Sequence, residues 1–233
     1  MNEISILTLP PGQLFDALKK SQLKDLVSNP EMLGRIAQAA AHLLTDEKLR
    51  ACDEMSIFGA LQKAVTLGFR LEREFGECYL IPRTITIKTK GEADVKKAVC
   101  VFQIGYKGWK ALTLQSGHVA WIDGEAVYDD DKFSFKYGTS AFLDHEPAAV
   151  RRGKMTHFYA FATLANGMQI FKVITGQDSE KSRTHSEEQY DWHGSTKVFS
   201  PTPKGIWAKH YAAMALRVPI KKVCAALPLT AAI

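Results

Sequence analysis

The segment 156–175, THFYAFATLANGMQIFKVIT, constrains the fold more than any other part of the sequence. Two runs of alternating apolar residues flank Asn166-Gly167, a dipeptide that supplies the positive φ values of a tight turn. The pattern predicts a β-hairpin. Since a hairpin needs neighbouring strands and a buried face, it also predicts an antiparallel sheet.

Apolar residues follow a helical period at both ends of the chain. Pro30 is predicted to be the first residue of one helix. Ser56, just before IFGALQKAVTLGF, is predicted to be the N-cap of another helix, which ends at Gly68. A last helix is predicted over residues 205–227.

Between these helices the spacing changes to that of strands. Alternating or β-branched runs occupy 77–83, 84–88, 98–105, 118–128 and 132–138. The charged residues 88–97 are predicted to form the tip of a hairpin. A short helix is predicted over 108–115, and the polar residues 177–202 predict a short helix followed by a mobile loop. The expected fold class is α+β: a largely antiparallel sheet with hairpins, flanked by an N-terminal helical region and a C-terminal basic helix.

Composition excludes several classes of protein. With 233 residues, 46% of them hydrophobic and 24% charged, the chain is long enough to bury a core and too apolar to be disordered. No segment reaches the roughly 18 apolar residues of a membrane span, and the N-terminus lacks a secretion signal, so we expect a cytoplasmic protein. Four cysteines without metal-ligand spacing are expected to be buried thiols: Cys52, Cys78, Cys100 and Cys224.

Positive charge is concentrated near the C-terminus. The net charge is +5, and no carboxylate follows Asp191. Six basic residues do follow it: Lys197, Lys204, Lys209, Arg217, Lys221 and Lys222. Such a local excess is typical of a surface that binds a polyanion.

The final helix is predicted to pack on one side and to present cations on the other. At 100° per residue, Lys209, Arg217 and Lys221 share one arc. The opposite arc carries the residues expected to pack: Trp207, Tyr211, Met214 and Val218. Pro219 is expected to kink this helix. The alternative interpretation is a solvated basic face that binds nothing.

Residues 105–110, GYKGWK, interleave aromatic and basic side chains where a strand meets a helix. The two glycines would let a ligand approach the backbone, and the helix N-terminus would offer N–H groups to a phosphate. Aromatic rings that stack on bases and cations that bind phosphates suit single-stranded nucleic acid. The alternative is that the aromatic residues pack at the edge of the core and the basic residues form a solvated surface. The candidate DNA contacts here are Tyr106, Lys107, Trp109 and Lys110, with further charge from Arg151, Arg152, Lys154 and Lys172.

The sequence contains no Walker-type phosphate loop, HExxH, GxSxG or dinucleotide motif. We therefore predict no catalytic residue and no required cofactor. Asp129-Asp130-Asp131 and Asp144-His145-Glu146 favour loops over metal sites, because consecutive carboxylates on a strand or turn point in different directions. A divalent ion such as Mg²⁺ stays open as an aid, with no ligand assigned.

Five segments in one order resemble the RecT family of phage single-strand annealing proteins, from about Ser56 onward. They are FGALQKAVTLGF with ECYLIPR, FQIGYKGWKALTLQSG, KFSFKYG with a downstream His145 to Pro147, THFYAFATLANG, and MALRVPIKKVCAALPLT. The resemblance implies ATP-independent binding and annealing of single-stranded DNA by rings or helical filaments. It places Tyr106 and Lys107 in the family's Gly-Tyr-basic-Gly motif, and it places three cations in its basic helix: Arg217, Lys221 and Lys222. The sequence departs from the family at Leu114, Gln115 and Arg83, and it stops near LPLT, where relatives commonly continue into a tail.

The leading hypothesis is a non-enzymatic protein of phage recombination that anneals DNA strands as an oligomer in a bacterial host. Residues 1–55 are assigned to oligomerisation and 56–233 to the annealing core, in which the basic helix and the tyrosine segment line one cationic channel. Expected partners are single-stranded DNA, the annealed duplex, further copies of the chain, a phage exonuclease and a host single-strand-binding protein. A metal-dependent nuclease and a plain single-strand-binding protein stay open as alternatives.

Overall fold

The computed structural model describes residues 13, 16–18, 25, 30–87, 95–150 and 153–227. It combines helices with antiparallel sheets and hairpins, so the predicted α+β class is confirmed. The chain divides into two compact units, Met1–Ala111 and Leu112–Ala232. The functional division at residue 55 stays a prediction.

Unit 1 combines helices with a two-stranded antiparallel sheet. Its helices are α1 (Pro30–Leu43), α2 (Glu47–Arg50), α3 (Glu54–Thr66) and the first part of α4 (Tyr106–Gln115). Its strands are β1 (Cys78–Ile87) and β2 (Val95–Ile104), paired from Cys78 opposite Ile104 to Ile87 opposite Val95. The two predicted strands 77–83 and 84–88 are thus one strand, and the predicted hairpin tip is only partly visible because 88–94 lie outside the described residues.

Helix α3 begins earlier than its sequence predicts. Asp53, not Ser56, is the N-cap: its carboxylate accepts the backbone N–H of Ser56 at 3.1 Å. The Ser56 hydroxyl instead accepts the N–H of Cys100 at 2.8 Å, which ties the helix to β2. The predicted end is confirmed, because Gly68 has φ +67° and follows the last helical turn.

Unit 2 is built around a three-stranded antiparallel sheet. Its strands are β3 (Val119–Tyr128), β6 (Met155–Leu164) and β7 (Gln169–Thr175), and they lie side by side in the order β3-β6-β7. Two further hairpins are β4 (Lys132–Lys136) with β5 (Phe142–Glu146), and β8 (Tyr190–His193) with β9 (Thr196–Phe199). Its helices are the end of α4, then α5 (Gly176–Arg183), α6 (Gly205–Lys209) and α7 (Tyr211–Ala225).

The β6–β7 hairpin confirms the strongest prediction from the sequence. Its turn differs in one detail, because Gly167 alone has a positive φ, +83°, while Asn166 does not. The Gly167 N–H donates to the Leu164 carbonyl at 2.9 Å, and the Asn166 side chain accepts the N–H of Met168 at 3.0 Å. Asn166 therefore serves as a hydrogen-bond acceptor rather than as a left-handed residue.

The predicted mobile loop within 177–202 is wrong. The short helix forms as α5, but the chain then forms the β8–β9 hairpin. Arg183, which is 1% exposed, holds this hairpin in place. Its guanidinium donates to the Gln189 side chain at 3.1 Å and to the Ser200 carbonyl at 3.0 Å, and it lies 4.3 Å from the centre of the Phe199 ring.

The final helix is also divided. His210, with φ −139° and ψ 49°, interrupts it, so α6 ends at Lys209 and α7 starts at Tyr211. Pro219 lies inside α7 and is buried. A single helical wheel over 205–227 therefore does not place Lys209 relative to Arg217.

The four cysteines are free and buried, as predicted. Burial raises the pKa of Cys78 to about 12 and that of Cys100 to about 11. Both side chains are thus uncharged thiols at neutral pH.

Candidate nucleic-acid interface

Helix α7 packs one face into the core of unit 2 and leaves cations on the other. Ala215 belongs to one buried cluster with the sheet residues Ala126, Phe158 and Ile174, and Tyr211 and Val218 pack against this cluster. Met214 and Trp207 are buried, so the predicted packing side is confirmed. Arg217 is half-buried, and Lys221 and Lys222 are exposed.

The cations of this region differ in their surroundings. Lys197 lies 2.5 Å from Glu187, and Lys204 forms an ion pair with Asp191. Lys222 is close enough to the α5 carboxylate of Asp178 to help lower its pKa, after the hydrogen bonds from Thr175, which are the largest cause. Although no carboxylate follows Asp191 in the sequence, carboxylates from earlier parts of the chain therefore lie near several of the C-terminal cations.

Lys209 and Lys221 form no ion pair among the described residues, and both are exposed. Their charges are accordingly available to a polyanion, whereas those of Lys197 and Lys204 are already balanced. Of the C-terminal cations predicted from the sequence, these two are the ones best placed to meet a phosphate.

Two other predicted contacts in unit 2 have different environments. Lys154 is exposed, and its backbone is held to Asp129 by two hydrogen bonds of 2.9 Å. Lys172 is half-buried on β7, and its Nζ lies 6.0 Å from the centre of the Tyr137 ring. Arg151 and Arg152 lie outside the described residues.

The glycines of the GYKGWK segment have a structural role that the sequence did not indicate. A Cβ on Gly105 would lie 2.1 Å from the Gly76 carbonyl oxygen, and one on Gly108 would lie 2.1 Å from that of Glu77. The Gly105 N–H donates to the Glu77 carbonyl at 2.8 Å. The expectation that these glycines admit a ligand is wrong, because the backbone of residues 76–77 fills the space.

The side chains of this segment differ in exposure. Lys107 is exposed, whereas Tyr106, Trp109 and Lys110 are half-buried. The Lys107 side chain passes close to Gly76. Lys107 is thus the member of this group whose charge is most accessible to solvent.

Glu77 is the buried acid beneath this segment, with a side chain that is 10% exposed. Its carboxylate accepts the Arg70 backbone N–H at 2.8 Å, the Nε at 2.9 Å and a second guanidinium N–H. Burial alone would raise the pKa of Glu77, but the hydrogen bonds from Arg70 outweigh burial, so the pKa lies below the ordinary 4.5.

A lowered pKa in the folded state makes stability fall in acid. The unfolded chain takes up the Glu77 proton first as the pH drops, so this contribution is full above about pH 4.5 and is lost below it. We expect Glu77→Gln to lower the unfolding free energy at pH 7, with a difference from the natural protein that shrinks towards about pH 3. Urea denaturation across this range measures the difference. Glu74→Gln, at an exposed site in the same loop, is the control, and a constant difference for Glu77→Gln would contradict the assignment.

The acidic segments considered as metal sites have structural contacts instead. The His145 Nε2 atom lies 3.1 Å from the Asp131 Oδ2 atom, and the two side chains are 4% and 0% exposed. The other ring nitrogen of His145 lies 3.1 Å from the Tyr159 hydroxyl, and Asp131 accepts the N–H of Ala148 at 2.8 Å. These contacts join the β4–β5 hairpin to β6. Among the described residues, no group of three His, Cys, Asp or Glu side chains is arranged to hold a metal ion.

A comparison with known families decides the relationship of the chain. The model of the RecT family matches residues 34–232, well over half of the sequence. The chain belongs to the RecT family. Protein RecT of Escherichia coli (strain K12) is 28% identical over 228 residues, which covers 92% of this chain and 78% of that protein. The uncharacterized protein YqaK of Bacillus subtilis (strain 168) is 25% identical over 214 residues, covering 86% of this chain and 65% of that protein.

Membership in the RecT family makes this a DNA-binding protein of phage-type recombination by strand annealing. The resemblance seen from Ser56 onward is confirmed, and the match begins further towards the N-terminus, at residue 34. None of the helices described here is long and apolar enough to cross a membrane.

In this RecT-family protein, sequence reasoning missed one group of exposed residues near the predicted contacts. Phe135 and Tyr137 are 37% and 49% exposed, and Tyr137 lies under Lys172. The available signal was the pattern Phe-Ser-Phe-Lys-Tyr in 133–137, which places an aromatic residue at every second position of β4 and its continuation.

Proposed function

We propose that this protein binds single-stranded DNA through its exposed cations and anneals complementary strands without consuming a nucleoside triphosphate. The observation that carries the proposal is helix α7, whose inner face is anchored on the sheet while Lys221 faces solvent. A cation on an anchored helix meets a phosphate without a large loss of backbone freedom.

Annealing needs two polyanions to approach each other despite their mutual repulsion. Lysines without neighbouring carboxylates lower that repulsion and release the counterions of the DNA. Pairing then proceeds without fuel, because each base-pair step is downhill by about 1.4 kcal/mol. Since any sequence has to be annealed, contacts to backbone and to base faces are better suited than contacts to base edges.

The finer assignments belong to the same proposal. Twelve residues stay candidate DNA contacts: Tyr106, Lys107, Trp109, Lys110, Arg151, Arg152, Lys154, Lys172, Lys209, Arg217, Lys221 and Lys222. We propose that the tyrosine segment of unit 1 and the basic helix of unit 2 each contact DNA, and that the protein acts in the bacterial cytoplasm as a ring or filament. Head-to-tail contacts through residues 1–55 would build such assemblies. A phage exonuclease and a host single-strand-binding protein are proposed partners, and Mg²⁺ is proposed only as a screening ion.

Strand annealing measured by fluorescence tests the proposal. Two complementary oligonucleotides, one carrying a donor dye and the other an acceptor, are mixed with and without the protein, in the absence of ATP. We expect faster pairing with protein and no further change when ATP is added. Slower pairing would instead indicate a plain single-strand-binding protein. Shortening of the strands in Mg²⁺ or Mn²⁺ would indicate a nuclease, and either result would overturn the proposal.

A further inference from the structure

Four aromatic side chains of unit 2 form a continuous row. The ring centres of Phe133 and Phe135 are 5.5 Å apart, those of Phe135 and Tyr137 are 5.6 Å apart, and those of Tyr137 and Phe171 are 5.2 Å apart. The row begins at the half-buried Phe133, which stacks on Tyr159, and becomes more exposed towards Tyr137. We call Phe133, Phe135, Tyr137 and Phe171 the aromatic row.

The exposed end of the row is rigidly held. The Tyr137 ring stacks on Phe171 at an interplanar angle of 18°, and its hydroxyl accepts the N–H of Val173 at 2.8 Å. Val173 lies on β7, an outer strand of the three-stranded sheet, so the bond satisfies a backbone donor at the sheet edge. Because the ring and the hydroxyl of Tyr137 are both held in place, stacking of a planar ligand on this side chain loses little side-chain entropy.

A cation borders the same end of the row. Lys172 places its Nζ 6.0 Å from the centre of the Tyr137 ring. It forms no ion pair among the described residues. Exposed rings beside unbalanced positive charge suit a ligand that has both flat apolar faces and negative charge.

We propose that Phe135 and Tyr137 form a stacking site for a base of single-stranded DNA, while Lys172 holds an adjacent phosphate. The inference rests on the proposed function and adds to it a contact with the bases themselves. A polynucleotide fits better than a second copy of the chain, because lysine is depleted in the centre of protein–protein interfaces. Stacking on a ring face ignores base identity, as annealing requires.

Two substitutions at one position separate stacking from the hydrogen bond to Val173. Tyr137→Leu removes the ring and the hydroxyl, whereas Tyr137→Phe removes only the hydroxyl. We expect Tyr137→Leu to weaken binding of an oligo(dT) strand by about 5- to 150-fold, the range for one lost base stack, and Tyr137→Phe to weaken it much less, because the ring that stacks is kept. Trp121→Leu, which removes an exposed ring from the opposite edge strand β3, should leave binding unchanged.

An abasic strand of the same length shows whether the ring contacts bases. It keeps the phosphates and lacks the stacking partner, so the natural protein and Tyr137→Leu should bind it equally. An equal loss on both strands, or no loss on oligo(dT), would overturn the stacking site. If Tyr137→Leu formed smaller oligomers while its DNA affinity stayed unchanged, the stacking site would also be overturned, and the aromatic row would be assigned to contacts between copies of the chain.

A measurement on the unsubstituted protein guards against misfolding of the variants. Ultraviolet crosslinking to a strand that carries 5-iododeoxyuridine, followed by peptide mass spectrometry, should map the adduct to 133–137 or to Phe171. Adducts found only elsewhere, with binding intact, would contradict the site while leaving the proposed function in place. Failure of the natural protein to bind any single strand would instead contradict the proposed function itself.

Discussion

Replacing both Lys209 and Lys221 with Glu is expected to abolish strand annealing without unfolding the protein. Both side chains are exposed and form no ion pair among the described residues, so their reversal disturbs no internal contact that the structure shows. The change converts two attractive contacts with phosphate into two repulsive ones. The annealing rate with this variant should fall to that of protein-free DNA, and its thermal unfolding temperature should stay close to that of the natural protein.

The matched control reverses two lysines that already face carboxylates. Lys132 lies 3.1 Å from Glu146 and Lys181 lies 3.8 Å from Asp178, and both lysine side chains are 80% exposed. Lys132→Glu combined with Lys181→Glu changes the net charge by the same amount. We expect this control to retain most of the annealing rate. Equal losses in the two double variants would show that net charge alone matters and that Lys209 on α6 and Lys221 on α7 have no special part.

Gly108→Ala is expected to destabilise unit 1 although alanine favours helices. The new Cβ would lie 2.1 Å from the Glu77 carbonyl oxygen, a backbone atom that cannot turn aside as a flexible side chain can. Overpacking costs about 1–3 kcal/mol, and because the blocking atom here belongs to the backbone we expect a cost towards the upper end of that range, which outweighs the helix preference of alanine over glycine, about 1 kcal/mol. Urea denaturation should show a lower midpoint for this variant.

Gly59→Ala is the control for that substitution. Gly59 also lies inside a helix, α3, but a Cβ there would meet no atom within 4 Å. We expect this variant to be more stable by about 0.5–1 kcal/mol, since only the conformational preference changes. A Gly108→Ala protein as stable as Gly59→Ala would refute the role assigned to the close contact with Glu77.

The parts of the fold that the sequence predicted are those with local signals. The β6–β7 hairpin has alternating apolar residues and a glycine that takes a positive φ at its turn. The end of α3 at Gly68 follows from the same property of glycine. The packing side of α7 follows from the spacing of its apolar residues.

Other parts depend on residues that are distant in sequence. The β8–β9 hairpin is polar and exposed, and the contacts of buried Arg183 hold it, which no local pattern indicates. The sequence predicts the N-cap of α3 at Ser56, since no local pattern indicates that this hydroxyl accepts the N–H of Cys100 instead.

The candidate site could be predicted only in part, because it too depends on residues that are distant in sequence. The sequence correctly indicated exposed cations on the last helix, but the partners of Lys197 and Lys204 are set by the fold. The close packing of Gly105 and Gly108 depends on residues 76–77, which only the folded chain brings near. The aromatic row likewise depends on Phe171 lying beside Tyr137.

The salt dependence of single-strand binding tests the central claim most directly. Affinity for an oligo(dT) strand is measured at several salt concentrations for the natural protein and for the variant in which Lys209 and Lys221 are replaced by Glu. If both lysines contact phosphates, the plot of log affinity against log salt concentration should be less steep for the variant by about 1.4, or about 0.7 for each lost contact. Identical slopes would show that Lys209 on α6 and Lys221 on α7 do not contact the DNA.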